Sequence, residues 1–187
     1  MIISHKYKLV FITTPKSGSH TGFKLMEDYF GAAGGFNHST KIPAGLKDYS
    51  SFTFVRNPYE RFCALYHACV TNHYKAWVPK SARKTKLSYA KWYASMAKKN
   101  CYVRSDLTSS QSYWHKNSRI KNYIQIEKAE EIFDSLYPEL NIQMPHELRR
   151  EHFTWEDVKT DNLIHYINIW AGDDFKLYGY ERENINS

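Results

Sequence analysis

Residues 9–21 read LVFITTPKSGSHT, four apolar residues (Leu9, Val10, Phe11 and Ile12) running straight into a turn of small, hydroxylated and basic residues. The β-branched and aromatic stretch over 8–13 predicts a short buried strand. From His20 onward Phe23, Met26, Tyr29 and Phe30 recur near helical spacing, so the turn opens a helix over about 20–30, which the GAAGG at 31–35 terminates. A strand, a glycine-bearing turn and a helix start place the first backbone N–H groups of the helix toward a bound anion. Gly18 lets the backbone approach such a group, Ser17, Ser19 and Thr21 add hydroxyls, and Lys16 adds a mobile positive charge. The order differs from the familiar nucleotide loop, where the lysine follows the glycines and directly precedes Ser or Thr; here Lys16 precedes Gly18. By itself the segment also reads as a capped basic surface turn, and a companion motif has to decide.

That companion lies at 51–61, SFTFVRNPYER. Residues 51–55 read as a parallel strand, and Pro58 suits the first turn of a helix whose inner face carries Tyr59, Phe62, Cys63, Tyr66 and Val70. Arg56 then sits at the carboxyl edge of a strand, the edge where ligands collect in open α/β sheets. Further along, residues 87–97 read as helical inside a basic insertion near 75–105. Residues 112–114 read as a packed connection, 123–126 as a strand and 130–137 as a helix. Leu163, Tyr166, Ile167 and Trp170 mark an apolar helical face, followed by Gly172 and a short segment over 175–180. Thr154 and Asp157 have the spacing of a helix cap, and Glu127, Glu130, Glu131 and Asp134 that of a solvated helix face.

The chain of 187 residues, 42% of them hydrophobic, supports one core and shows no internal repeat, so a single domain over 1–187 is expected. Cys63, Cys69 and Cys101 form neither a metal cluster nor a disulfide framework, and Cys63 and Cys69 fit a helix interior. No apolar run reaches the length of a membrane span and the first residues lack a secretory pattern, so a cytoplasmic protein is expected. The net charge of +7 conceals a segregation: residues 1–121 hold 20 basic and 5 acidic residues, residues 122–187 hold 6 and 14. From Arg61 to Ser105 there is no carboxylate, which draws an anionic partner. Trp77, Tyr89, Trp92, Tyr93 and Tyr102 in that stretch either stack on bases or pack beneath a solvated basic face. No zinc-finger or sheet-based RNA-recognition signature accompanies them, so nucleic acid is set aside in favour of a small phosphorylated cofactor or an acidic acceptor.

TPKSGSHT and FTFVRNPYERFCALY together resemble a sulfotransferase, in particular compact relatives of the membrane-associated carbohydrate sulfotransferases. Gln111, YIQIEKAEEIF and the terminal DFKLYGY resemble later parts of that family. The resemblance implies a P-loop-like α/β fold with a central, mostly parallel sheet flanked by helices. It also implies an enzyme that transfers the sulfuryl group of 3'-phosphoadenosine 5'-phosphosulfate (PAPS) to a hydroxyl of a carbohydrate or other small acceptor, leaving 3'-phosphoadenosine 5'-phosphate (PAP). Lys16 matches the lysine on the phosphosulfate, with Pro15, Ser17, Gly18, Ser19, His20 and Thr21 as the rest of the turn. Arg56 matches the arginine on the 3'-phosphate, and Arg61 organises that neighbourhood or serves in packing or in an internal ion pair. His38, between the two motifs, matches by region the histidine that acts as base; Glu60 is the carboxylate alternative. Gln111 positions the acceptor or loop backbone rather than transferring a proton, because its amide is no titrating base. Ala64 departs from the family, standing where a phosphate-binding serine is common, with Thr71, Ser109, Ser110 or a backbone group to replace it. No catalytic metal is implied, and nothing in the chain signals an oligomeric state. Two other classes stay open beside this one: a phosphoryl-transfer enzyme with an atypical loop, and a non-catalytic nucleotide- or nucleic-acid-binding module.

Overall fold

The computed structural model describes residues 1–34, 41–71, 76–100, 102, 108–116, 118–144 and 153–185. In chain order the strands and α-helices are β1 (Ile2–Ser4), β2 (Leu9–Ile12), α1 (Ser19–Asp28), β3 (Ser50–Val55), α2 (Pro58–Thr71) and α3 (Lys86–Lys99). They continue as α4 (Gln111–His115), β4 (Asn122–Gln125), α5 (Ala129–Leu136), α6 (Asp161–Trp170) and α7 (Gly172–Tyr178). The chain divides into two compact units, each of two segments: Met1–Arg56 with His115–Arg150, and Asn57–Trp114 with Glu151–Ser187.

The first unit is built on one sheet in the order β1-β2-β3-β4. The edge strand β1 pairs antiparallel with β2, while β2, β3 and β4 are parallel, with Ile12 beside Thr53 and Val55 beside Gln125. All four residues of β2 are buried, the signature of a strand covered on both faces. The period of two divides them: Leu9 and Phe11 join Phe23 and Met26 of α1 and Phe133 of α5, whereas Val10 and Ile12 join Ile120 on the other face. Helix α1 lies close against the sheet, because a Cβ at Gly22 would stand 2.1 Å from the Phe11 ring. Parallel register carries the chain out of β2, β3 and β4 at one edge, which therefore holds the 14–21 turn, Arg56 and Ile126.

In the second unit α3 packs along α6, with Tyr93 stacked on Trp170 at 4.9 Å. Tyr89, Ala90, Tyr93, Ala94 and Met96 of α3 face the core, and Lys84, Lys91, Lys98 and Lys99 are exposed. Tyr89 and Tyr93 of the carboxylate-free stretch thus pack beneath its basic face, Trp92 and Tyr102 are half-buried, and Trp77 is exposed. Cys63 and Cys69 are buried free thiols of α2, and Glu127, Glu130, Glu131 and Asp134 are solvated as expected. One expectation is corrected. Thr154 donates through its N–H and Oγ1 to Asp157 Oδ2, at 2.7 and 2.8 Å, but no helix follows. The pair closes a single turn because Thr160 already begins the cap of α6, accepting from Leu163 N. Among the described residues no helix is long and apolar enough to cross a membrane.

Candidate anion-binding site

Thr14 anchors the turn between β2 and α1. Its Oγ1 lies 2.7 Å from Thr53 Oγ1 and 2.6 Å from His115 Nε2, all three residues being buried. Its carbonyl accepts from Ser17 N at 3.2 Å and from Ser19 Oγ at 2.8 Å. Between these fixed points the backbone turns left-handed twice, at Lys16 (φ 62°) and Gly18 (φ 81°), the kind of path that gathers successive N–H groups into a concave anion site. Gly18 admits no other residue without repacking, since a Cβ there would stand 1.9 Å from Ile126 Cδ1. Helix α1 then starts with no side-chain cap and no acidic residue in its first turn. By contrast, Thr85 and Thr160 cap α3 and α6. An anion at the start of α1 would occupy the place those threonines fill elsewhere.

Within the turn Pro15, Ser17 and Ser19 are buried, Lys16, Gly18 and Thr21 half-buried, and His20 exposed. The Ser19 hydroxyl hydrogen goes to Thr14 O, so that side chain braces the turn from inside. Arg56, half-buried, leaves β3 at the edge where the turn leaves β2. The structure brings these residues of the first unit together. His38 lies outside the described residues.

Arg61 and Gln111 belong to the second unit. Arg61 is fully buried, donates from Nη1 to Ser109 O at 3.0 Å, and lies over the Trp170 ring at 5.5 Å. Burial pulls its guanidinium below the usual value, and the Asp174 carboxylate opposes that pull. Burial likewise pushes Asp174 up, against the counter-effect of Arg61. Asp174 also accepts from Gln111 N, Gln111 Nε2 and Ser112 N at 2.8, 3.3 and 2.7 Å. Arg61 thus lies in the interior of the second unit under the electrostatic influence of Asp174, and Gln111 has an interior partner in the same carboxylate. Glu60 Oε1 accepts from Trp155 N at 3.1 Å, a packing role. Ala64 is buried, and Ser110 Oγ pairs with Ser112 Oγ at 3.0 Å while accepting from Tyr113 N.

Sequence reasoning missed Thr53, His115 and Asp174. Thr53 had a signal, a polar residue on an apolar strand beside a ligand edge. His115 had none, because it meets Thr14 across 101 residues.

No curated protein and no solved structure matches the chain. The model of the sulfotransferase family, however, matches residues 1–181, taking in the turn, Arg56 and all four strands. With a mostly parallel α/β sheet, a glycine-bearing turn at its carboxyl edge and a match over nearly its whole length, the chain belongs to the sulfotransferase family and has its P-loop-like fold.

Proposed function

We propose that the protein transfers a sulfuryl group from PAPS to a hydroxyl of a carbohydrate or other small acceptor. The observation that carries this reading is the uncapped start of α1 behind left-handed Lys16 and Gly18, on the sheet edge that also holds Arg56. Two separated cationic positions suit a donor with two anionic ends, and the donor set fits: amides and an ammonium for the phosphosulfate, a guanidinium for the 3'-phosphate. When bound, PAPS supplies a sulfuryl group carried on a phosphate leaving group. Lys16 and the turn amides stabilise the negative charge that develops on that phosphate, and they are set before the reaction begins. Arg56 holds the 3'-phosphate through its planar fork. His38 takes the acceptor hydroxyl proton, a task suited to an imidazole, which titrates near neutrality. The family membership supports sulfuryl transfer, and the turn supports the donor.

The test is a labelled-sulfate transfer screen over sugars, phenols and small alcohols, with titrations of PAP, ATP and a random oligonucleotide alongside. Transfer is expected from the wild type and should fall by about 10²–10³ in Lys16→Ala. Arg56→Ala should weaken PAP binding about tenfold or more. His38→Gln should lose single-turnover transfer with PAP binding intact. Tight oligonucleotide binding without PAP binding, or no transfer to any acceptor class, overturns the reading.

A further inference from the structure

Thr53 Oγ1 has one hydrogen, and it goes to Ile12 O at 2.7 Å, with Phe54 O a longer second acceptor at 3.4 Å. It must therefore accept from Thr14 Oγ1, which lies 2.7 Å away. The Thr14 hydroxyl hydrogen is then spent, so the 2.6 Å contact to His115 requires that His115 Nε2 carry a hydrogen and donate it. The chain of bonds has a single direction, from the imidazole through two hydroxyls to the last carbonyl of β2. A reversed order would set two lone pairs against each other at Thr53 and Ile12. His115 is 3% exposed and Thr14 1%, so water offers little replacement for the bond.

Thr14 is also the residue whose carbonyl holds Ser17 N and Ser19 Oγ. Side chain and carbonyl together fix the base from which Lys16 and Gly18 take their left-handed conformations. For a non-glycine residue that conformation costs about 1–2 kcal/mol, so Lys16 keeps it only while its surroundings impose it. We propose that His115 is a positioning residue for the sulfate-donor turn: through its Nε2–H bond to Thr14 it holds the turn in the donor-binding shape. Its assigned role is exerted through Thr14.

The inference rests on the turn being the donor site, and the test separates the two. His115→Leu removes the donor, Thr14→Val removes the acceptor with little change of shape, and His115→Gln returns an amide N–H near the Nε2 position. PAP dissociation constants and donor KM should rise about tenfold in His115→Leu and in Thr14→Val, the size of one buried hydrogen bond. Acceptor KM should stay unchanged, the double variant should be no worse than either single one, and His115→Gln should recover most of the loss. Losses that multiply in the double variant, or no recovery in His115→Gln, overturn the proposal. If the wild type binds no PAP, the functional reading falls and amide hydrogen exchange over residues 17–21 decides instead. Faster exchange in His115→Leu, restored in His115→Gln, supports the positioning role; equal exchange in all three proteins overturns it. Should His115→Leu fail to fold, Thr14→Val against Thr14→Ser gives the same comparison, with recovery expected only for the hydroxyl.

Discussion

Lys16 carries both charge and strain, its φ of 62° lying where lysine is disfavoured and glycine is not. A residue chosen for stability alone would be glycine. Lys16→Gly should therefore raise the unfolding free energy by about 1 kcal/mol while abolishing transfer, as read by urea denaturation beside the labelled-sulfate assay. Equal or lower stability would mean that contacts of the lysine side chain outweigh the backbone strain. The positions of Lys16, Gly18 and Arg56 on the sheet edge were legible in the sequence because each depends on close neighbours: a strand before, a helix after, a basic residue at a strand end. For Arg61 the sequence offered an interior role as one alternative but not the partners that surround it. Its burial depends on Ser109, Trp170 and Asp174, which lie 48 or more positions away and carry no local mark of the contact.

Helix starts differ in how they are capped, and α1 has no side-chain cap. Thr85 caps α3, with Ser88 completing the capping box. Helix α4 draws its N-terminal acceptor from elsewhere, Asp174 taking Gln111 N and Ser112 N. These two caps should differ in weight. Thr85→Ala removes an exposed cap and should cost about 1 kcal/mol. Asp174→Asn removes both an acceptor and the negative charge facing buried Arg61, and should cost about 3–5 kcal/mol. Urea denaturation of both variants checks the ranking, and equal losses would mean that Arg61 does not depend on Asp174 for its charge. Elements with a strong apolar period were readable to within a few residues: β2, β3, β4, α1, α2, α5 and α6. The three-residue β1 is too short to show a period. Helix α7 begins at Gly172, which reads as a stop; the helix forms because Phe175 and Tyr178 return its inner face to the core.

At the scale of the whole molecule, each unit is assembled from two separated stretches of chain, a division that no change of composition marks, so the sequence reads as one continuous domain. Charge is the whole-chain property most directly visible in the sequence, and its consequence is kinetic. A net charge of +7 would attract the proposed anionic donor over distances comparable to the Debye length, whereas Lys16 and Arg56, in the proposed site, would act at contact. Long-range attraction speeds encounter, and contact holds the complex together, so the two can be varied separately. Reversing exposed Lys98 and Lys99 to Glu takes the net charge from +7 to +3 without touching the turn. Stopped-flow binding of PAP at about 50 mM salt should then show an association rate several-fold lower than wild type and an unchanged dissociation rate, with the difference vanishing near about 500 mM salt. Lys16→Ala should do the opposite, raising dissociation at every salt concentration. A faster dissociation in the Lys98→Glu, Lys99→Glu protein would mean that these lysines meet the donor directly, and the basic stretch would then belong to the donor site rather than to the field around it.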